Sequence, residues 1–113
     1  AGCAAILVSH HHGRIPFGIA PVMVLPKIKA ALEGSGIAIF VDCGIDTGYD
    51  AYKALALGAD AVAVGRGILK PLLQQGAEGV EEKVQKMNEQ LSELMMYTCV
   101  KDIRSFDASV LYI

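Results

Sequence analysis

Three short apolar runs, each followed by a polar or glycine-containing turn and then by a helix-like segment, constrain the fold of this chain most. The runs cover residues 4–8, 37–41 and 61–64. Continuous apolar runs of this length predict strands that are buried on both faces, as in a parallel sheet. Every connection is long enough for a right-handed crossover. The order therefore predicts an α/β fold of three βα units, with helices covering a parallel sheet.

The segments between the runs carry helical spacing and end signals. In the first, apolar residues recur from residue 22 to residue 32, and Pro26 predicts a start near that position because proline favours a first helical turn. The second opens at Thr47 and is closed by Gly58. Residues 68–73 suggest one or two further turns, and the last helix is predicted to start near Gly76. Its apolar stripe consists of Val80, Val84, Met87, Leu91 and Leu94.

Length and composition predict one domain over residues 1–113 and exclude several classes of protein. The chain has 113 residues, 53% of them hydrophobic, and a net charge of -2. The apolar share excludes intrinsic disorder, and the charge balance argues against a nucleic-acid partner. No apolar run approaches the roughly 18 residues of a membrane span. Three cysteines without a CxxC motif indicate a reducing, cytoplasmic compartment, with Cys43 and Cys99 expected to be small buried residues.

The chemically distinctive residues follow the ends of the predicted strands. Ligands bind at this edge of parallel α/β folds. Gly65 and Arg66 suit an anion, although residue type alone favours a tight turn with a solvated arginine. His11 and Arg14 could act as a base and a carboxylate clamp, or could belong to a solvated polar loop. A metal site is disfavoured, because neighbouring histidines point to opposite faces of an extended chain. Asp42, directly after an apolar strand, needs partners such as ligand hydroxyls or backbone N–H groups.

Taken together, these motifs resemble the C-terminal part of the FMN-dependent α-hydroxy-acid oxidases and dehydrogenases. The family pattern S-N-H-G-G-R is similar to residues 9–14, which read SHHHGR. The pattern D-G-G-I-R-x-G-x-D is similar to residues 42–50, which read DCGIDTGYD. Residues 53–59 and 64–66 match the family's K-A-L-A-L-G-A and V-G-R. The resemblance extends to about residue 103.

The resemblance implies three βα units of a TIM (β/α)8 barrel and FMN-dependent oxidation of a small 2-hydroxy acid to the 2-oxo acid. It implies that His11 is the catalytic base and that Arg14 binds the substrate carboxylate. It further implies that Asp42 contacts the ribityl hydroxyls of FMN. The implied phosphate-binding residues are Gly44, Gly65 and Arg66.

The chain departs from the family pattern near these residues. Asp46 stands in place of an arginine against the FMN phosphate, so repulsion is expected unless its carboxylate turns away. His10 replaces an asparagine, and glycines are replaced by His12, Cys43 and Cys99. These differences keep open the alternative of a non-catalytic fragment or relic that retains the fold and binds phosphate or joins another chain.

A TIM barrel takes roughly 250 residues, so five further βα units are absent from this sequence. Three strands cannot close a barrel, and both sheet edges and one sheet face are expected to be exposed. We therefore expect self-association or a missing N-terminal half, and weak or absent turnover by the chain alone.

Overall fold

The computed structural model describes residues 2–112 and contains a three-stranded parallel sheet with the order β1-β2-β3. The strands are β1 (Ala5–Val8), β2 (Ala38–Val41) and β3 (Ala61–Val62). The helices are α1 (Pro21–Ala31), α2 (Gly48–Ala56) and α3 (Leu69–Tyr97), with 3-10 turns at Arg66–Ile68 and Ala108–Val110. The predicted α/β order of three βα units is confirmed. The third strand is shorter than predicted, because its partner β2 ends at Val41, opposite Val62.

The two faces of the sheet have opposite environments. On one face, Val8, Ile39 and Val41 are buried beneath the helices. On the other face, Leu7 is 52% exposed and its neighbour Phe40 is 41% exposed. One face and the outer edges of β1 and β3 therefore have no covering element among residues 2–112, as expected for an unclosed sheet.

Helices α1 and α2 form the other half of the core. Leu25 of α1 and Ala54 of α2 are fully buried against the sheet. Helix α2 begins with a capping box, in which the Thr47 side chain accepts from the backbone of Asp50 and the Asp50 carboxylate accepts from the backbone of Thr47. Gly48 contacts the backbone of α3 at Met87, where a Cβ atom would overlap the carbonyl oxygen. The absence of a side chain at Gly48 thus allows the start of α2 to lie directly against α3.

The first helix begins five residues earlier than predicted. Pro21 occupies its first turn, and Pro26 lies in its interior. The interior proline removes one helical hydrogen bond, but Pro21 and Leu25 are both buried on the helix and hold the preceding turn. Burial has therefore overridden the local preference of Pro26 for a helix start.

The last helix contains the predicted break. Gly76 has φ 64° and ψ -144°, so the segment from Leu69 to Tyr97 consists of two helical pieces joined at this glycine. Within the predicted stripe Met87 is buried, whereas Val84 is 46% exposed. None of the described helices has the length and apolar character required to cross a bilayer.

The turn after α3 and the tail complete the description of the fold. Cys99 is exposed and Cys43 is half-buried, so the expectation of buried cysteines is wrong for Cys99. Its turn follows the end of α3, where few elements remain to cover it. In the tail, Phe106 packs edge-on against Tyr52 with ring centroids 5.0 Å apart, which joins the segment after α3 to α2.

Candidate functional site

A cavity of about 410 Å³ lies at the carboxyl ends of the three strands. Five of the six site residues predicted from the sequence line it: His11, Asp42, Gly44, Gly65 and Arg66. The sixth, Arg14, lines a second cavity of about 380 Å³, to which His11 and Arg66 also contribute. Residues from three separate loops are therefore brought together at one end of the sheet.

The loop after β1 is held by its own backbone and by His10. The backbone N–H of Gly13 donates to His10 Nδ1 at 2.9 Å, and that of Arg14 donates to the His10 carbonyl at 3.1 Å. The N–H of His11 donates to Ser9 Oγ at 3.0 Å. By contrast, the side chains of His11 and Arg14 have no hydrogen-bond or ion-pair partner among residues 2–112. His10 thus shapes the loop, and the other two side chains are free for a ligand.

Cys43 links the loop after β2 to the loop after β1. Its thiol donates to Asp42 Oδ1 at 2.9 Å, and its sulfur accepts from the backbone N–H of His12 at 3.1 Å. It also lies 3.5 Å from Ser9 Oγ. Sequence reasoning missed this role and treated Cys43 as a small packing residue. The available signal was its replacement of a family glycine inside a ligand-binding motif.

Asp42 is held in its charged form. Burial alone would raise the pKa of this carboxyl group, but hydrogen bonds to Cys43 and Ser9 and the charges of His11 and His10 together lower it below its usual value. Its negative charge faces the histidine loop. The carboxylate oxygens are also suitable acceptors for ligand hydroxyl groups.

Backbone donors are available at the other side of the cavity. The N–H groups of Gly44, Gly65 and Arg66 have no acceptor among residues 2–112. A Cβ atom at Gly44 or at Gly65 would meet no atom within 4 Å, so the space beside both residues is open. Unpaired N–H groups beside an exposed guanidinium are the donors that phosphate oxygens require. These residues therefore fit a phosphate group.

Asp46 lines the same cavity and is paired with a lysine. Its Oδ1 atom accepts from Lys83 Nζ of α3 at 2.9 Å. The Lys83 side chain is 22% exposed and that of Asp46 is 64% exposed. The expected clash between this carboxylate and a phosphate is therefore moderated by a counter-charge that the motif spacing did not reveal.

The positions where glycine is replaced keep a glycine-like backbone. His12 has φ 57°, Cys43 has φ 65° and Cys99 has φ 57°. This left-handed region favours glycine and is uncommon for other residues. At these three positions the chain therefore carries a side chain on a backbone conformation that favours glycine.

The described residues, 2–112, contain no cluster of three or more histidine, cysteine, aspartate or glutamate side chains arranged to hold a metal ion.

Comparisons with known proteins identify the family to which this chain belongs. The family model of the FMN-dependent dehydrogenases matches residues 1–113. The L-lactate oxidase of Lactobacillus jensenii is 40% identical over 111 residues, which is 95% of this chain and 27% of that protein. Human 2-hydroxyacid oxidase 1 is 38% identical, over 96% of this chain and 30% of that protein.

A solved structure agrees. Lactate oxidase of Pediococcus acidilactici superposes with a TM-score of 0.87 at 38% identity, over 92% of this chain and 29% of that chain. The fold of this chain is thus shared with part of a lactate oxidase. The chain belongs to the FMN-dependent dehydrogenase family, as its motifs predicted, and it spans less than a third of the length of these relatives.

Proposed function

We propose that this chain contributes the C-terminal part of an FMN-dependent enzyme that oxidises a small 2-hydroxy acid to the corresponding 2-oxo acid. The main observation in support is that the six predicted site residues line two adjoining cavities at the strand ends. Residues 1–113 form one unit within this proposal. The free cysteines at positions 3, 43 and 99 favour a cytoplasmic location.

In this proposal the three βα units are part of a (β/α)8 barrel. Leu7 and Phe40 lie on the uncovered face of the sheet, which would be the interior of the closed barrel. The uncovered edges of β1 and β3 would pair with further strands. The share of 27% to 30% of the relatives' lengths supports a missing N-terminal portion.

The residues proposed to bind the cofactor are those with free donor groups and the aspartate that is held in its charged form. Gly44 and Gly65 would offer backbone N–H groups to the phosphate of FMN, and Arg66 would add a guanidinium. Asp42 would accept hydrogen bonds from the ribityl hydroxyls, since its pKa is held below its usual value. FMN, when bound, supplies the acceptor for the two electrons removed from the substrate.

The substrate residues are the two unpartnered side chains of the loop after β1. Arg14 would hold the substrate carboxylate through paired hydrogen bonds and so orient the hydroxyl-bearing carbon. His11 would take the hydroxyl proton, because its imidazole is exposed and lines both cavities. The Asp42 carboxylate lines the same cavity as His11.

One observation favours the alternative of a fragment or relic without catalysis. His12 and Cys43 place side chains in the cavity wall on left-handed backbone, where close approach to a ligand favours glycine. Such a chain would retain the fold and the phosphate-binding residues and would act by assembling with another chain through its open sheet edges.

Reconstitution with FMN separates these proposals. The purified chain is incubated with FMN, freed of unbound flavin by gel filtration, and its flavin absorbance is followed after addition of lactate or glycolate under nitrogen. We expect retained flavin with slow bleaching. Arg66→Met should lose flavin, and His11→Gln should retain flavin that no longer bleaches. Arg104→Met, which removes an exposed arginine outside both cavities, is the matched control.

Retained flavin that neither substrate bleaches would support the non-catalytic alternative. Failure of the chain to retain flavin, with Arg66→Met indistinguishable from the unmodified chain, would contradict the assignment of the site. Size-exclusion chromatography on the same samples tests assembly, because a clean monomer at all concentrations would count against pairing through the open edges.

A further inference from the structure

The phosphate end of the cavity contains an unexpected carboxylate. Asp46 lines the cavity together with Gly44, Gly65 and Arg66. A Cβ atom added to Gly67 would lie 2.5 Å from Asp46 Oδ1, so the carboxylate rests against the backbone of the turn that follows β3. This turn carries the free N–H groups that fit a phosphate. Asp46 is therefore close enough to affect any anion bound there.

An unpaired carboxylate at this position would oppose phosphate binding. A phosphate monoester carries about 1.5 to 2 negative charges at neutral pH. Across a separation of several ångströms in partly hydrated surroundings, repulsion by one further negative charge changes a dissociation constant by about tenfold. The single positive charge of Arg66 would then be shared between the Asp46 carboxylate and the ligand.

Lys83 offsets this charge from a different element. Its Nζ atom donates to Asp46 Oδ1 at 2.9 Å and reaches the loop from α3, 37 residues along the chain. The pair is neutral as a unit, which leaves the positive charge of Arg66 uncompensated at this end of the cavity. The bond also fixes the Asp46 carboxylate against Gly67, where it occupies the space that a side chain would otherwise fill.

We propose that Lys83 is a positioning residue that holds and neutralises Asp46, and that it thereby preserves the preference for a phosphorylated flavin over riboflavin that Arg66 and the free N–H groups provide. The inference rests on the proposed function, since it concerns the phosphate end of the same cofactor site. Lys83 acts through Asp46 and is not assigned a contact with the cofactor.

Binding of two flavins that differ only in the phosphate tests this role. Quenching of flavin fluorescence is titrated with FMN and with riboflavin for the full chain and for Lys83→Met, Asp46→Asn and the double variant. We expect Lys83→Met to weaken FMN binding about tenfold while leaving riboflavin binding unchanged. The double variant should recover most of the FMN affinity, because the charge that Lys83 neutralises is then absent. Asp46→Asn alone should bind FMN at least as tightly as the unmodified chain.

Lys86→Met is the matched control, because Lys86 lies on the exposed surface of the same helix and forms no ion pair within residues 2–112. It should leave both affinities unchanged. Equal weakening of FMN and riboflavin by Lys83→Met would indicate a structural role and overturn the inference, as would a double variant that stays as weak as Lys83→Met. Those results would leave the proposed function standing. Absence of binding of either flavin to the unmodified chain would instead contradict the proposed function, and the inference with it.

Discussion

The helix-covered side of the sheet and the loops at its strand ends differ in burial and in backbone conformation. In α2, six of nine residues are buried, and Leu25 and Val41 nearby have no exposed surface. In the loop after β1, residues 11–14 are all exposed. Four of the five non-glycine residues with positive φ lie in the loops that follow β1 and β2: His11, His12, Phe17 and Cys43.

This difference separates what holds the fold from what serves the site. The buried side depends on close packing, where a change of one methyl group alters the free energy of unfolding. The loops have few packing contacts, so their side chains can change without loss of the core. The family-like run at residues 53–59 lies largely on the packed side, whereas departures such as His12, Cys43 and Asp46 lie in the loops.

The largest expected effect is on the packed side. Leu25→Ala should lower the free energy of unfolding by about 3 kcal/mol, because it removes a fully buried side chain and leaves a cavity. Urea denaturation followed by circular dichroism measures this loss. Leu73→Ala is the control, since Leu73 is 85% exposed, and it should change stability by less than about 0.5 kcal/mol. Similar losses for the two variants would contradict the assigned core.

The next effect concerns the contact between α2 and α3. Gly48→Ala should destabilise the chain by about 2 kcal/mol, because the new Cβ atom would overlap backbone atoms of Met87 and Leu91. Gly65→Ala is the control for stability, since the space beside Gly65 is open and its φ is not positive. The same denaturation experiment measures both variants. A Gly48→Ala chain as stable as Gly65→Ala would show that the helices do not approach this closely.

A gain in stability is expected at a strained turn. Cys99→Gly should stabilise the chain by about 1 kcal/mol, because φ at this exposed residue is 57° and glycine adopts that conformation without steric cost. Cys3→Gly is the matched control, since Cys3 is also exposed but has no positive φ. Thermal unfolding measures both variants. A loss for Cys99→Gly equal to that for Cys3→Gly would refute strain at this position.

The smallest effect is a pH dependence in the loops. Because the pKa of Asp42 is lowered in the folded chain, the unfolded state binds more protons in acid. This contribution to stability is complete above the unfolded pKa of about 3.9 and is lost as the pH falls through the lower folded value. Asp50 contributes with the same sign.

Asp42→Asn should therefore flatten the fall in unfolding free energy below about pH 4. Urea denaturation at a series of pH values measures the slope. Glu33→Gln, which changes an exposed carboxyl group with no ion pair in the described part of the chain, is the control. Equal slopes for Asp42→Asn and the unmodified chain would contradict the hydrogen bonding assigned to Asp42.

Local patterns were sufficient for the parts of the fold in which local and tertiary preferences agree. Thr47 with Asp50 and the glycine at position 58 mark both ends of α2, and apolar runs mark the strands. Pro26 misled the prediction of α1, because its preference for a first turn is local whereas the burial of Leu25 depends on the sheet. The clustering of the distinctive residues was predicted because parallel strands end at one edge, whereas the choice of Gly44 and the role of each residue came from the family resemblance.

The remaining features of the site depend on distances that the sequence does not encode locally. Lys83 meets Asp46 from 37 residues away, and Cys43 meets the backbone of His12 from 31 residues away. Neither pair has a sequence separation that is typical of a known motif, so only the folded structure shows that its two residues are in contact.

Mapping of FMN binding by NMR tests the central claim most directly. ¹H–¹⁵N spectra of the isotope-labelled chain are recorded during titration with FMN. We predict that the largest shift changes occur at the amides of Gly44, Gly65 and Arg66, with smaller changes at Asp42 and none at exposed sites on α3 such as Asn88. Changes that are absent from those three amides, or spread evenly over α3, would contradict a flavin site at the strand ends.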